Sequence, residues 1–322
     1  MRRFAALFSL FALASTAGLA HAEKPLKDYS FIRGVNHDMD GDQATLERDL
    51  GYAKRINVNG TRIWLNYNAY QKDPQAYVER LRNYIRTSRR MGFNTMPILW
   101  NGNDLNPTML NFSFHPEGDA YVKAIVNAVK DEPGLLMWDI MNEPLWNDYY
   151  NKAPGKEKQQ REAEITAFVR YYIGYVKKID PVNAVTVGYA FSSELQGSAD
   201  LVDVLSFHDY TPTRAEVEAA YRTAEEVSKK YGKPVLNTET ACIARANPYD
   251  EVLQIAQEHH MGWYLFNLMI GGYWGEVHGI FYPDGTVRDP SIVAAVMGFY
   301  RNRNWTRSSG LCPTARTRQS KR

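Results

Sequence analysis

Two glutamates stand out because each ends an apolar run, where a charge is out of place. Glu143 follows Asn142 at the end of WDIMNE (138–143), and Glu239 ends PVLNTE (234–239). A carboxylate in apolar surroundings is costly, so two of them call for a use. Paired carboxyl groups can divide the cleavage of a glycosidic bond. One protonates the departing oxygen and the other acts as nucleophile or base. Arg62, inside GTRIWLN (60–66), is a natural partner for one of them, since a nearby cation favours the ionised carboxyl. The simpler alternatives are a strand running into a solvated loop for Glu143, and an interior ion pair without chemistry for Arg62.

The elements that would position these groups alternate along the chain. Candidate strands run over 31–36, 60–66, 93–100, 135–143, 184–189, 202–210, 234–241 and 262–269. Between them, apolar residues recur at helical spacing, as in Ile165, Phe168, Tyr172, Val176 and Ile179. Gly92 and Gly232 stand where helices end, and Thr213 with Glu216 reads as a capping box. A last helix follows Pro290. Strand–helix alternation implies parallel strands and right-handed crossovers, and eight such units fit a single-domain (β/α)8 TIM barrel. A doubly wound open sheet is the alternative. About a dozen residues separate the fifth and sixth strands, room for a short helix or one turn, and the polar insert 151–161 reads as an exposed loop.

Barrel active sites are built at the carboxyl ends of the strands. Those ends carry Asn36, His37 and Asp38, then Asn66, Trp100 with Asn101, Asn142 with Glu143, His208 with Tyr210, and Glu239. The Asn-Glu-Pro at 142–144, the His-x-Tyr at 208–210 and the Thr-Glu at 238–239 resemble clan A of the glycoside hydrolases, and within it the cellulase-type family 5. The resemblance runs through residues 31 to 300. It implies a retaining mechanism with Glu143 as acid/base, Glu239 as nucleophile and Asn142 on the sugar 2-hydroxyl. It also implies that Arg62 orients the nucleophile and that His208 and Tyr210 bracket the carboxylates. Asn36 joins this supporting set. Two positions depart from the pattern. Where the family usually carries a His beyond strand three, this chain has Trp100, Asn101 and Asn103. Where strand eight usually presents a Trp, Phe266 stands near that place, with Trp274 a few residues on as a substitute. Trp100, Trp146 and Trp274 are candidates for stacking on sugar rings, with a place in the core as the alternative for each.

The ends and the composition bound the rest. Arg2 and Arg3 precede an apolar run, and Ala20-His21-Ala22 fits a small-x-small cleavage site. Residues 1–22 therefore read as an export signal cut after Ala22, and the mature protein as secreted or periplasmic. The catalytic barrel is expected over 23–305 and a disordered basic tail over 306–322. Without Arg2 and Arg3 the chain balances at 36 Lys and Arg against 36 Asp and Glu, and seven of those cations lie in 301–322. The body thus lacks the basic footprint of a nucleic-acid binder, and no segment after the leader is apolar for long enough to span a membrane. No cofactor or metal is expected, since His37, Asp38 and Asp40 lack a spaced second His or Cys set. A Gly-x-Ser-x-Gly elbow is absent. Cys242 and Cys312 permit one disulfide. The partner expected is a β-linked poly- or oligosaccharide, met by a monomer. A transglycosylase built on the same glutamates, or a degenerate barrel that only binds glycan, would show the same residues.

Overall fold

The structure, a computed structural model, describes residues 25–300. The expected export signal, the basic tail and Cys312 lie outside the described residues, as do both ends of the 23–305 range. Eight strands form a closed parallel barrel in chain order. They are β1 Arg33–His37, β2 Gly60–Trp64, β3 Asn94–Asn101, β4 Met137–Asn142, β5 Ala184–Tyr189, β6 Leu205–Asp209, β7 Val235–Thr240 and β8 Gly262–Leu265. β1 pairs with both β2 and β8, and that closure rules out the open sheet.

The inside of the barrel is layered. Met96, Met137, Ala184, Val204, Leu236 and Tyr264 form an apolar floor. The Tyr264 ring crosses so close to β1 that a Cβ on Gly34 would come within 2.0 Å of it. Above the floor Thr186 donates to Ser206 at 2.9 Å. Arg62 and its partners fill the mouth. Outside the strands, Ile63, Leu65, Leu81, Ile85, Val185, Phe207 and Tyr221 join one continuous core beneath the helices, so Arg62 points inward while Ile63 and Leu65 face out.

The helix ends follow their caps. Asp73 caps Pro74–Met91, which stops at Gly92 with φ 99°. The Thr213/Glu216 capping box opens Arg214–Tyr231, which stops at Gly232 with φ 65°. Both glycines supply a left-handed conformation that other residues adopt at a cost. The fifth unit is the thin one, with only the short 3-10 turn Ser192–Gly197 between β5 and β6.

Two expectations need correction. The insert 151–161 is largely helical: Asp148–Asn151 is one turn, and Gly155–Ile179 then runs for 25 residues. Its Lys, Glu, Gln and Arg residues are good helix formers. Arg161 pairs with Glu157 one turn back and lies over the Tyr149 ring. Trp100 is no sugar platform. It is 2% exposed, enclosed by Tyr67, Phe114, Tyr121, Phe168 and Tyr172 at ring distances of 4.9 to 5.9 Å, and it does not line the cleft. Truncating a buried Trp loses its transfer energy and leaves a cavity. Trp100→Ala should therefore lose about 3–5 kcal/mol of unfolding free energy in a denaturant titration. A variant of unchanged stability that binds glycan more weakly would restore the platform role.

Candidate active site

The strands that carry the two glutamates are irregular just before them. On β4, Asp139 pairs with Thr186 and Asn142 with Gly188, so three steps along β4 match two along β5. On β7, Phe207 of β6 faces Asn237 while His208 faces Glu239, again one extra residue. Such bulges re-aim side chains. On β4 the extra residue lets Ile140 and Met141 both join the outer core and turns Asn142 into the barrel. The backbone then turns sharply: Glu143 has φ 45°, a left-handed conformation rare for a residue with a side chain. It is held by its own N–H donating to Gly188 O at 2.7 Å and by Trp146 N–H donating to Glu143 O at 2.9 Å.

Arg62 is the hub. The guanidinium is wholly buried. It donates to Asp139 Oδ2 at 2.9 Å, Glu239 Oε1 at 2.6 Å, Asn36 Oδ1 at 3.1 Å and Asn142 Oδ1 at 2.9 Å. Asn36 donates onward to the carbonyls of Thr238 and Leu265, so it buttresses Arg62 from β1. Asp139 accepts from Gly188 N–H at 3.0 Å through its other oxygen. Gly188 has no alternative: a Cβ there would lie 2.7 Å from Arg62 Nη2 and 2.9 Å from Asp139 Oδ2.

The carboxylates face one another. Oxygens of Glu143 and Glu239 and Nδ1 of His208 all lie within 4.8 Å of each other. His208 Nδ1 is 2.7 Å from Glu143 Oε1 and 3.6 Å from Glu239 Oε2. Tyr210 donates its hydroxyl to Glu239 Oε2 at 3.1 Å. Burial raises the Glu143 carboxyl above the ordinary range, against the pull of Arg62 and Arg245. Burial also drives His208 down to about 4, overriding Glu239, so the imidazole is neutral above that pH. Tyr210 is pushed well above the usual phenol value by burial first and by the two carboxylates second, and stays a donor. No other group of His, Cys, Asp and Glu converges as a cation site among the described residues, and Arg62 already neutralises Glu239.

These groups lie at one cleft of about 650 Å³. Of the residues singled out from the sequence, Asp38, Asn66, Asn101, Asn103, Asn142, Glu143, Trp146, His208, Tyr210, Glu239 and Trp274 line it, while Arg62 and Asn36 support it from below. Phe266 lines it too, edge-on to Trp64 at 5.3 Å, and Trp274 is 47% exposed. Asp139, Trp64, Phe191, Arg245 and His278 are additions. Only Asp139 carried a signal in the sequence, as an acid in the middle of an apolar run. The pairing with Asp139 and Glu239 makes Arg62 testable. Arg62→Met should lower turnover by orders of magnitude and stability by about 3–5 kcal/mol, since it strands Asp139 as a buried unpaired charge. Arg62→Met combined with Asp139→Asn should recover stability while turnover stays low. A double variant that regains turnover would remove Arg62 from the chemistry.

Comparison with known proteins adds the family. Residues 32–272 match the family model for cellulase, glycosyl hydrolase family 5. A mannan endo-1,4-beta-mannosidase from Mytilus edulis is 24% identical over 249 residues, and the alignment spans just under two thirds of that relative, 65% of each chain. Among solved structures, an endo-1,4-beta-mannanase from Rhizomucor miehei superposes with a TM-score of 0.67 at 16% identity, covering 82% of this chain and 92% of that one. An exo-beta-1,4-mannosidase from Opitutaceae bacterium strain TAV5 gives 0.64 at 14%, covering 86% and 61%. At such identities the structural likeness carries the barrel fold alone. The family model extends through β1 to β8 and both glutamates, and by that match the chain belongs to glycosyl hydrolase family 5.

Proposed function

We propose that this protein is an exported, monomeric, retaining β-glycanase that cleaves within β-1,4-linked mannan-type chains by double displacement. The observation that carries the reading is the approach of Glu143 and Glu239 to within 4.8 Å across one cleft. Carboxyl groups that form a glycosyl-enzyme stand about 5–5.5 Å apart, whereas inverting pairs leave about 6.5–9.5 Å for a water. Glu239, paired with Arg62 and oriented by Tyr210, attacks the anomeric carbon. Glu143, kept protonated longer by its burial, gives its proton to the departing oxygen. Once Glu239 is esterified its charge is gone, the Glu143 carboxyl ionises more readily, and Glu143 takes a proton from the water that releases the sugar.

Relatives named as mannan hydrolases favour mannan. The cleft is lined by two aromatic pairs, Trp64 with Phe266 and Trp146 with Phe191, which suits a chain of several sugar rings. Export rests on the leader. No helix among the described residues is long and apolar enough to cross a membrane. Purified enzyme given mannan, cellulose and xylan, with products sized over time, should release a ladder of oligosaccharides from mannan first. Monosaccharide alone from the outset would make the enzyme exo-acting.

The two glutamates should fail differently. Glu143→Ala should still release a burst of dinitrophenol from a dinitrophenyl β-glycoside, because that leaving group needs no proton, and then stall. Azide should restore its turnover and yield a β-glycosyl azide. Glu239→Ala should show no burst, since no other group forms the covalent intermediate, and any azide product should be α. Exchanged behaviours would swap the two roles.

A further inference from the structure

Beyond the residues already used, the cleft holds one cation of unexplained purpose. Arg245 is the only Lys or Arg among its lining residues, which include the carboxylates of Asp38, Asp104, Glu143, Asp209 and Glu239. The side chain is exposed, and among the described residues it forms no ion pair at contact distance. It is nonetheless held in place. The guanidinium lies 4.8 Å from the centroid of the Tyr210 ring, the ring whose hydroxyl donates to Glu239. The loop that carries Arg245 is pinched shut by Cys242 N–H donating to Asn247 O at 3.0 Å and Asn247 N–H donating to Cys242 O at 3.1 Å. The wholly buried Asn247 side chain anchors it, accepting from Ala241 N–H at 2.7 Å and donating to Thr211 O at 2.8 Å.

We propose that Arg245 is a positioning residue for the double displacement: fixed over Tyr210, it supplies the positive field under which Glu143 passes from acid to base. The inference rests on Glu143 serving in both steps. Burial alone favours the protonated acid and would leave it a reluctant base for the water step. A cation at the cleft wall offsets that burial without touching the carboxylate, and Arg245 acts on Glu143 in that direction. Its place on the ring face also draws electron density from the phenol, strengthening the hydrogen bond to Glu239. The other groups facing Glu143 are His208 of β6, Glu239 of β7, Tyr210, and Arg62 of β2, which is tied to Asp139 of β4. Glu194, in the turn after β5, is pushed up to about 7, mainly by burial. It accepts from Phe191 N–H at 3.3 Å. Of the first four, His208, Glu239 and Arg62 are buried and Tyr210 partly so. Arg245 is the exposed one, so its field alone should be sensitive to salt.

The sign follows from the charge. Removing a cation disfavours the Glu143 carboxylate, so the alkaline limb of kcat/KM, where the acid form is lost, moves to higher pH. Arg245→Gln and Arg245→Met should each move it up by about half a pH unit and slow the water step, seen as a larger build-up of glycosyl-enzyme with a dinitrophenyl glycoside. Arg245→Lys should keep the wild-type limb. Wild type in 1 M NaCl should move part of the way toward Arg245→Gln, while the variant barely responds. Because Glu194 titrates nearby, the shift should persist in Glu194→Gln. An unmoved limb in Arg245→Gln, or a limb moved as far by Lys as by Gln, would overturn the inference. So would a rise in KM alone, which would make Arg245 a substrate contact. A wild-type enzyme that hydrolyses no glycoside would instead remove the glycanase reading itself.

Discussion

The mouth of this barrel is organised around one buried cation. A guanidinium taken out of water loses several kcal/mol of solvation, which only close and complete partnering returns. Arg62 finds those partners on three other strands: Asn36 of β1, Asp139 and Asn142 of β4, and Glu239 of β7. Each partner constrains the strand that carries it. The bulge on β4 brings Asn142 into reach, the extra residue on β7 brings Glu239, and β5 contributes a glycine where any side chain would strike the guanidinium. A shift of one residue in β4 or β7 would leave a buried charge unpaired. The register of half the barrel and the aim of Glu239 are therefore one constraint.

From that hub the two glutamates acquire different characters. Glu239 receives a cation on one oxygen and a phenol hydroxyl on the other. Glu143 stands one step further out, on a left-handed residue past the end of β4. Its nearest polar neighbour is a neutral imidazole, and burial favours its protonated form. Acid and nucleophile chemistry need this separation of environments, and here it follows from which carboxylate Arg62 touches.

The strands, their order and both glutamates were legible in the sequence because apolar runs and their polar ends are local signals. The bulges were not. Strict alternation along β4 would point Asp139, Met141 and Glu143 inward, whereas the extra residue substitutes Asn142 for Met141, and nothing in WDIMNEP announces it. The role of Asp139 is not legible, because a single acid in an apolar run gives no hint of its partner 77 residues earlier. The insert 151–161 reads as a loop because its helix has no apolar stripe over those residues, only helix-forming charges. Trp100 sits at a strand end, where polar and aromatic groups often face a ligand, yet rings from two long helices and two shorter segments enclose it. Arg245 and Phe191 belong to connections after strands, and His278 ends the short helix Gly272–His278; the course of such segments is set by tertiary hydrogen bonds such as those of Asn247, which composition does not encode.

The central proposal is that Arg62 orients Glu239 as the nucleophile, close enough to Glu143 for a covalent intermediate. The most direct measurement is proton NMR of the first-formed hydrolysis product of a β-glycoside, recorded before mutarotation. The account predicts the β anomer as the initial product, from two inversions at the anomeric carbon. An initial α anomer would mean a single displacement by water and would contradict it.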